Sequence, residues 1–214
     1  MSKNLRNYLT ALFGFDAVVQ RVEPDQWGAE SPCEKWDARA VLNHNIFVTN
    51  MISELARGQA AAVPATGEGR EVPAMHGEGF VMASHLFRKG LGAGPDDDPI
   101  AVWNQRRDAV VDALDRPGAI HARARSLWGH ETTDEFLGFG IFDPLIHSWD
   151  LAKAVGQPVH LDPAVVNACL ALLEEPGDGR DMRHPMVLAN AVPTDSTDPV
   201  DRLIALSGRT PAAH

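Results

Sequence analysis

From Phe142 to Gly156 the chain reads FDPLIHSWDLAKAVG, and Phe142, Leu145, Ile146, Trp149, Ala152 and Val155 recur there at intervals of three and four. That period belongs to the α-helix and not to the strand, so it lays a wide apolar face along one helix that other helices must cover. The same stretch, which extends back to Thr133, carries Asp143 and His147 four residues apart. Four helical residues advance the chain by roughly 6 Å and return it to within about 40° of its starting direction, so both side chains reach one point at the margin of the apolar face. An acid and an imidazole half out of water need partners. Pro144 complicates the start, because it lacks an N–H and disfavours helical geometry at Asp143. It predicts either a kink or a helix that begins afresh, with Asp143 as N-cap and Pro144 at its first position.

Other helices can be read around this one. Leu5, Tyr8, Leu9, Leu12, Phe13, Val19 and Val22 predict an amphipathic helix within residues 3–22, ended by Pro24. A second is expected from about Asp37 to Arg57, with His44 on the apolar stripe beside Val41, Val48, Ile52 and Leu55. Asp98-Pro99 opens a third, through Trp103, Val110 and Leu114, and the 133–156 stretch supplies the fourth. Asp162-Pro163 starts a fifth over Val165, Val166, Cys169 and Leu170, and Pro199 a last short one around Leu203 to Leu206. No stretch alternates convincingly enough for strands, so the expected class is all-α. Residues 58–99 form an Ala-, Gly- and Pro-rich connection; His85 in its apolar middle reads by default as a solvated surface histidine, and the alternative is that this middle lies as a helix across the bundle end and brings His85 to the site mouth.

Composition narrows the partners. With 29 acidic against 19 basic residues, the surface repels phosphate backbones and anionic membranes, so no nucleic acid and no membrane partner is expected. There is no apolar run long enough to span a bilayer or direct export, and two cysteines make no disulfide framework. The expectation is a cytoplasmic protein acting on a small molecule, as a monomer or homodimer.

His44, Asp143 and His147 offer two imidazoles and a carboxylate from two helices. Three protein ligands with an open position suit catalytic zinc, and the same donors suit iron or nickel. Spacing alone leaves a plainer alternative, a hydrogen-bonded polar pair within the core. Cys33 reads as a small apolar residue under the start of the second helix, beside Glu34, whose charge would raise a thiol pKa. Trp36 reads as core packing and Trp149 as core or a wall of the site. Asp150 reads as an acceptor for His147 or, more plainly, as a surface charge.

The runs SPCEKWDARAVLNH, FDPLIHSWDLAKAVGQP and VPTDSTDPVDRLIALSGRTP together resemble the actinobacterial proteins with a DinB-like domain of the mycothiol-dependent maleylpyruvate isomerase type. The resemblance implies a DinB-like four-helix bundle over residues 1–157, with a C-terminal helical extension over 158–214 packed on it. It implies a divalent metal, zinc or nickel, held by His44, Asp143 and His147, with Asp143 either the third ligand or its support. It also implies a low-molecular-weight thiol, mycothiol or similar, used in transfer to, or isomerisation of, a small electrophile. Arg202 and Arg209 in the tail are candidates for a polar group of cofactor or substrate, against the plainer reading as surface charges. Whether the chain is an enzyme stays open, since a non-catalytic bundle that sequesters metal or a small ligand fits the same residues.

Overall fold

Short polar side chains start the helices. Ser2, Asp37, Asp98 and Asp198 are N-caps whose oxygens accept N–H groups two or three residues on, and prolines follow Asp98 and Asp198 at the first helical position. Proline loses nothing there, because first-turn N–H groups have no intrahelical partner. Thr132 and Glu135 form a capping box. The computed structural model describes residues 1–34, 36–59, 92–126, 129–174 and 188–211. Its helices are α1 (Lys3–Val19), α2 (Ala38–Ala56), α3 (Pro99–Asp115), α4 (Thr133–Gly140), α5 (Phe142–Ala154), α6 (Pro163–Glu174) and α7 (Pro199–Leu206). Between α3 and α4 a short antiparallel hairpin pairs β1 (Arg123–Ser126) with β2 (Gly129–Thr132). Strands of four residues, RARS and GHET, carry too little alternation to announce themselves, and the fold remains all-α around them.

Helices α1, α2, α3 and α5 make the bundle, with α2 against α3 and α5, and α1 against α4 and α5. Helix α6 rests on α1 and α5 and pairs with α7. Tyr8, Leu12, Phe15 and Val19 form the buried stripe of α1, whereas Phe13, expected in the core, is 49% exposed. One residue turns a helix by about 100°, so Phe13 leaves the face that Leu12 enters and Phe15 takes the core position. Trp103 is fully buried, meets the edge of Phe15 at 5.0 Å and donates its indole N–H to Asp16 at 2.8 Å. Arg107 holds the same carboxylate at 2.6 Å. Among the described residues no helix is long and apolar enough to cross a membrane.

The long stretch ending at Gly156 breaks at Ile141, upstream of the expected point. Asp143 lies in the first turn of α5 rather than at its cap, and Pro144 takes the third helical position instead of the first. Any first-turn position tolerates the missing N–H, and the helix dipole favours a carboxylate there. At the other end Gly156 has φ 67° and Gln157 N–H returns to the Ala152 carbonyl at 2.8 Å. This is the six-to-one bond of a left-handed glycine cap. The Gln157 amide then donates to the Arg21 carbonyl at 2.7 Å, tying the ends of α5 and α1 together.

Candidate metal centre

Helix α2 brings His44, 3% exposed, to face the first turn of α5. There His44 donates Nε2–H to Asp143 Oδ1 at 2.7 Å, while His147 Nε2 lies 3.9 Å from the same oxygen. The second distance is too long for a hydrogen bond. One donor atom each from His44, Asp143 and His147 lies within 4.8 Å of the others. A tetrahedral ion with bonds of about 2.1 Å spaces its donors about 3.4 Å apart, between the 2.7 Å and 3.9 Å seen here. Two imidazoles and a carboxylate at this spacing fit a divalent ion. The Asp143 side chain is 30% exposed, so the group opens to solvent on that side.

Trp36 walls the other side. Its ring stacks on His147 at 5.7 Å and 20° and meets His44 at 5.1 Å, and the two imidazoles are 5.0 Å apart, edge to face. A closed turn sets the indole: Ser31 N–H bonds the Trp36 carbonyl at 2.9 Å, and Trp36 N–H bonds Cys33 at 3.0 Å. Trp149 takes the first of its two expected places, buried in the core, and carries Lys153 Nζ 5.6 Å over its ring.

Behind His147 lies a second buried layer. Asp150, expected as a surface charge, has no exposed surface; its Oδ2 accepts His147 Nδ1–H at 2.8 Å. Three residues separate the pair on one helix face, which is the signal the sequence offered. Arg209, from the chain just after α7, is 7% exposed and grips Asp150 through Nη2 at 2.9 Å and Nε at 3.3 Å. It is thus no surface charge, and its remaining Nη1 donates to the Ser207 carbonyl at 2.6 Å. Cys33 is not an apolar filler: its thiol donates to Asp150 Oδ2 at 3.1 Å, accepts from Arg209 Nη2 at 3.0 Å, and lies 4.0 Å from His147 Nδ1. Arg202 is elsewhere, paired with Glu174 on the surface. His85 falls outside the described residues.

Charge and burial tune these groups in opposite directions. Burial works to raise the Asp143 pKa, but the His44 hydrogen bond and the nearby His44, His147 and Arg209 charges outweigh it, and the carboxyl is held below the usual range. Asp150 follows the same pattern, with burial opposed chiefly by Arg209 and then by His147, and is held well below. Burial dominates at His147 and pushes its pKa down despite Asp150, leaving the ring neutral at pH 7 and able to ligate. The Cys33 thiol is pushed up by burial first and by Asp150 second, so the neighbouring acid that matters is not Glu34. Tyr8, fully buried on α1, is likewise pushed up, by burial chiefly and by the Asp143 charge, against a hydrogen bond with Thr49.

Comparison with known proteins follows the same outline. The family described as Mycothiol maleylpyruvate isomerase N-terminal domain matches residues 10–152, which hold His44, Asp143 and His147 but not Arg209. Two uncharacterized proteins of Mycobacterium tuberculosis, from strains CDC 1551 / Oshkosh and H37Rv, are each 25% identical over 198 residues, covering 92% of this chain and 92% of theirs. Crystal structures of the mycothiol-dependent maleylpyruvate isomerase and of a histidine-to-alanine mutant of it superpose with a TM-score of 0.51 at 14% and 16% identity. Each alignment covers 80% of this chain and 68% of the other. At that identity the likeness is one of fold, the DinB-like all-α bundle.

Proposed function

The chain belongs to the mycothiol maleylpyruvate isomerase N-terminal domain family, and on that footing we propose that it is a divalent-metal-dependent enzyme. In this reading it uses a low-molecular-weight thiol of the mycothiol kind in transfer to, or isomerisation of, a small electrophile. The observation that carries the reading is the pair of lone-pair-bearing atoms, His147 Nε2 and Asp143 Oδ1, facing each other at 3.9 Å with His44 beside them. A cation entering here would take the place of the His44 proton on Asp143 and join all three donors. A divalent ion such as zinc or nickel, bound there, supplies the positive charge that favours a thiolate over a thiol, whose ordinary pKa is about 8.5.

The chain's own residues do the rest. His44 and His147 present ring nitrogens, and Asp143 stays ionised and offers the ligand nearest solvent. Trp36 covers the imidazole faces and keeps water from them. Asp150 holds the far nitrogen of His147. The 30% exposure of Asp143 is the entry side for thiol and electrophile.

The test is a thiol-consumption assay with mycothiol and a panel of small electrophiles, on protein loaded with zinc or nickel. Turnover that needs both thiol and metal, and that Asp143→Ala abolishes, is the expected result. Metal bound at one equivalent without thiol turnover on any electrophile would replace the enzyme with a metal-sequestering bundle.

A further inference from the structure

His147 belongs to two three-donor groups at once. Through Nε2 it faces Asp143 and His44; through Nδ1 it faces Asp150 and Cys33. The second group already holds a cation, because the Arg209 guanidinium reaches both Asp150 oxygens and the Cys33 sulfur. We infer that Arg209, acting through Asp150, is the positioning residue of the metal centre. Its guanidinium takes the cation position of the Cys33–Asp150–His147 group, fixes the His147 proton on Nδ1, and leaves the Nε2 lone pair as the face turned to Asp143 and His44.

An ionised carboxylate only accepts hydrogen bonds, so an imidazole nitrogen 2.8 Å from Asp150 Oδ2 must carry the proton. A neutral ring then bears its lone pair on the other nitrogen. Asp150 itself has no exposed surface, and Arg209 is its charged partner, bonded through a planar fork that a lysine cannot reproduce. The chain is bent to deliver that fork. Gly208 sits at φ 88°, where a Cβ would stand 2.5 Å from the Ala189 side chain, and Arg209 N–H returns to the Ile204 carbonyl at 3.0 Å.

Two consequences follow. Without Arg209 the His147 proton loses its anchor, and affinity at the His44–Asp143–His147 group drops on the order of 10–100-fold, as when the hydrogen-bond partner of a metal-ligating histidine is removed. Without Arg209, too, Cys33 and Asp150 are left with an uncompensated cation position, and a thiophilic ion can take it beside His147 Nδ1. The guanidinium therefore selects a nitrogen–oxygen centre over one that includes sulfur.

This inference rests on the proposed metal reading for its second half and on apo geometry for its first, so the experiment has two arms. Nitrogen-15 NMR of the apo protein reports the His147 tautomer in wild type, Arg209→Gln, Arg209→Lys and Asp150→Asn, with folding followed by circular dichroism. Cobalt(II) is the metal probe, read by affinity and by sulfur-to-cobalt absorption. Expected are Nδ1–H in wild type, its loss in Asp150→Asn and Arg209→Gln, and only partial recovery in Arg209→Lys. For cobalt, affinity at least tenfold weaker is expected in Arg209→Gln, with a sulfur band that wild type lacks. Should Arg209→Gln fail to fold, the isosteric Asp150→Asn carries the tautomer readout. An Nε2–H tautomer in wild type, or folded variants that keep both the wild-type tautomer and the wild-type cobalt spectrum, would overturn the inference. Cobalt binding absent from wild type, with the tautomer as expected, overturns the metal reading, the metal-positioning role and the selection step, and leaves only the hold of Arg209 and Asp150 on the His147 tautomer.

Discussion

Replacing Arg209 by methionine takes the cation away from a carboxylate that has no exposed surface. Removing one partner of a buried pair costs roughly 3–5 kcal/mol, because the other charge is left in a poor solvent. Asp150 keeps the Cys33 thiol as a donor at 3.1 Å and relieves part of the cost by taking up a proton, which places the loss near the lower end, about 3 kcal/mol. Against a total stability of about 5–15 kcal/mol this is a large share, and for a chain of this size it lowers Tm by roughly 6–12 °C. The double variant Arg209→Met with Asp150→Leu should regain most of it, since an apolar pair needs no compensation. The pH dependence has a fixed sign. The folded Asp150 pKa lies below its unfolded value, so its contribution is complete above about pH 4 and is lost as pH falls through the folded value. In Arg209→Met the carboxyl loses its strongest lowering influence and burial raises its pKa, so the deficit is greatest near neutrality and narrows in acid. Urea unfolding of apo protein at pH 7 and pH 4 measures both. A deficit under about 1 kcal/mol at pH 7, or one that grows in acid, refutes the reasoning.

Three other predictions concern separate parts of the molecule. Trp103→Phe keeps the ring in the core but loses the indole bond to Asp16, which still has Arg107; urea unfolding should show a loss of about 1–2 kcal/mol, against roughly 3–5 for Trp103→Ala. Gly208→Ala forces a side chain into a left-handed φ of 88° and against Ala189, so a thermal melt should show a loss of about 1–3 kcal/mol, with weaker metal binding through displaced Arg209. Metal retention should fall as acid protonates the ligands, but because the folded His147 pKa is depressed, half-release lies below the ordinary histidine value of about 6.5. Dialysis against buffers from pH 8 to 5 with metal analysis measures it, and half-release above pH 7 would contradict the assigned burial.

What the sequence revealed and concealed divides along chain distance. Asp37, Asp98 and Asp162 announce helices because a cap acts on N–H groups two or three residues away, and all three do so at the structural boundary. His44 on an apolar stripe and the Asp143–His147 spacing are also local patterns, so the three donors could be named together. Their support could not. Arg209 meets Asp150 across 59 residues and Cys33 across 176, and no period records such contacts. Asp150 at three from His147 pointed toward the right face, but a charge next to an apolar helix reads as solvated until its cation is seen. Cys33 and Trp36 share the short turn before α2, and only the folded turn shows that both side chains face His147. The break at Ile141 was displaced for another reason: proline is acceptable anywhere in a first turn, so Pro144 limits the helix start without choosing it.

The central claim is that His44, Asp143 and His147 hold one divalent ion. Mass-spectrometric metal content of untagged protein, prepared without chelator and compared with His44→Ala and His147→Ala, tests it directly. The account predicts close to one equivalent of zinc or nickel in the wild type and little in either variant, with both variants folded. No metal in the wild type after zinc and nickel loading near neutral pH, or one equivalent that survives both substitutions, would contradict it.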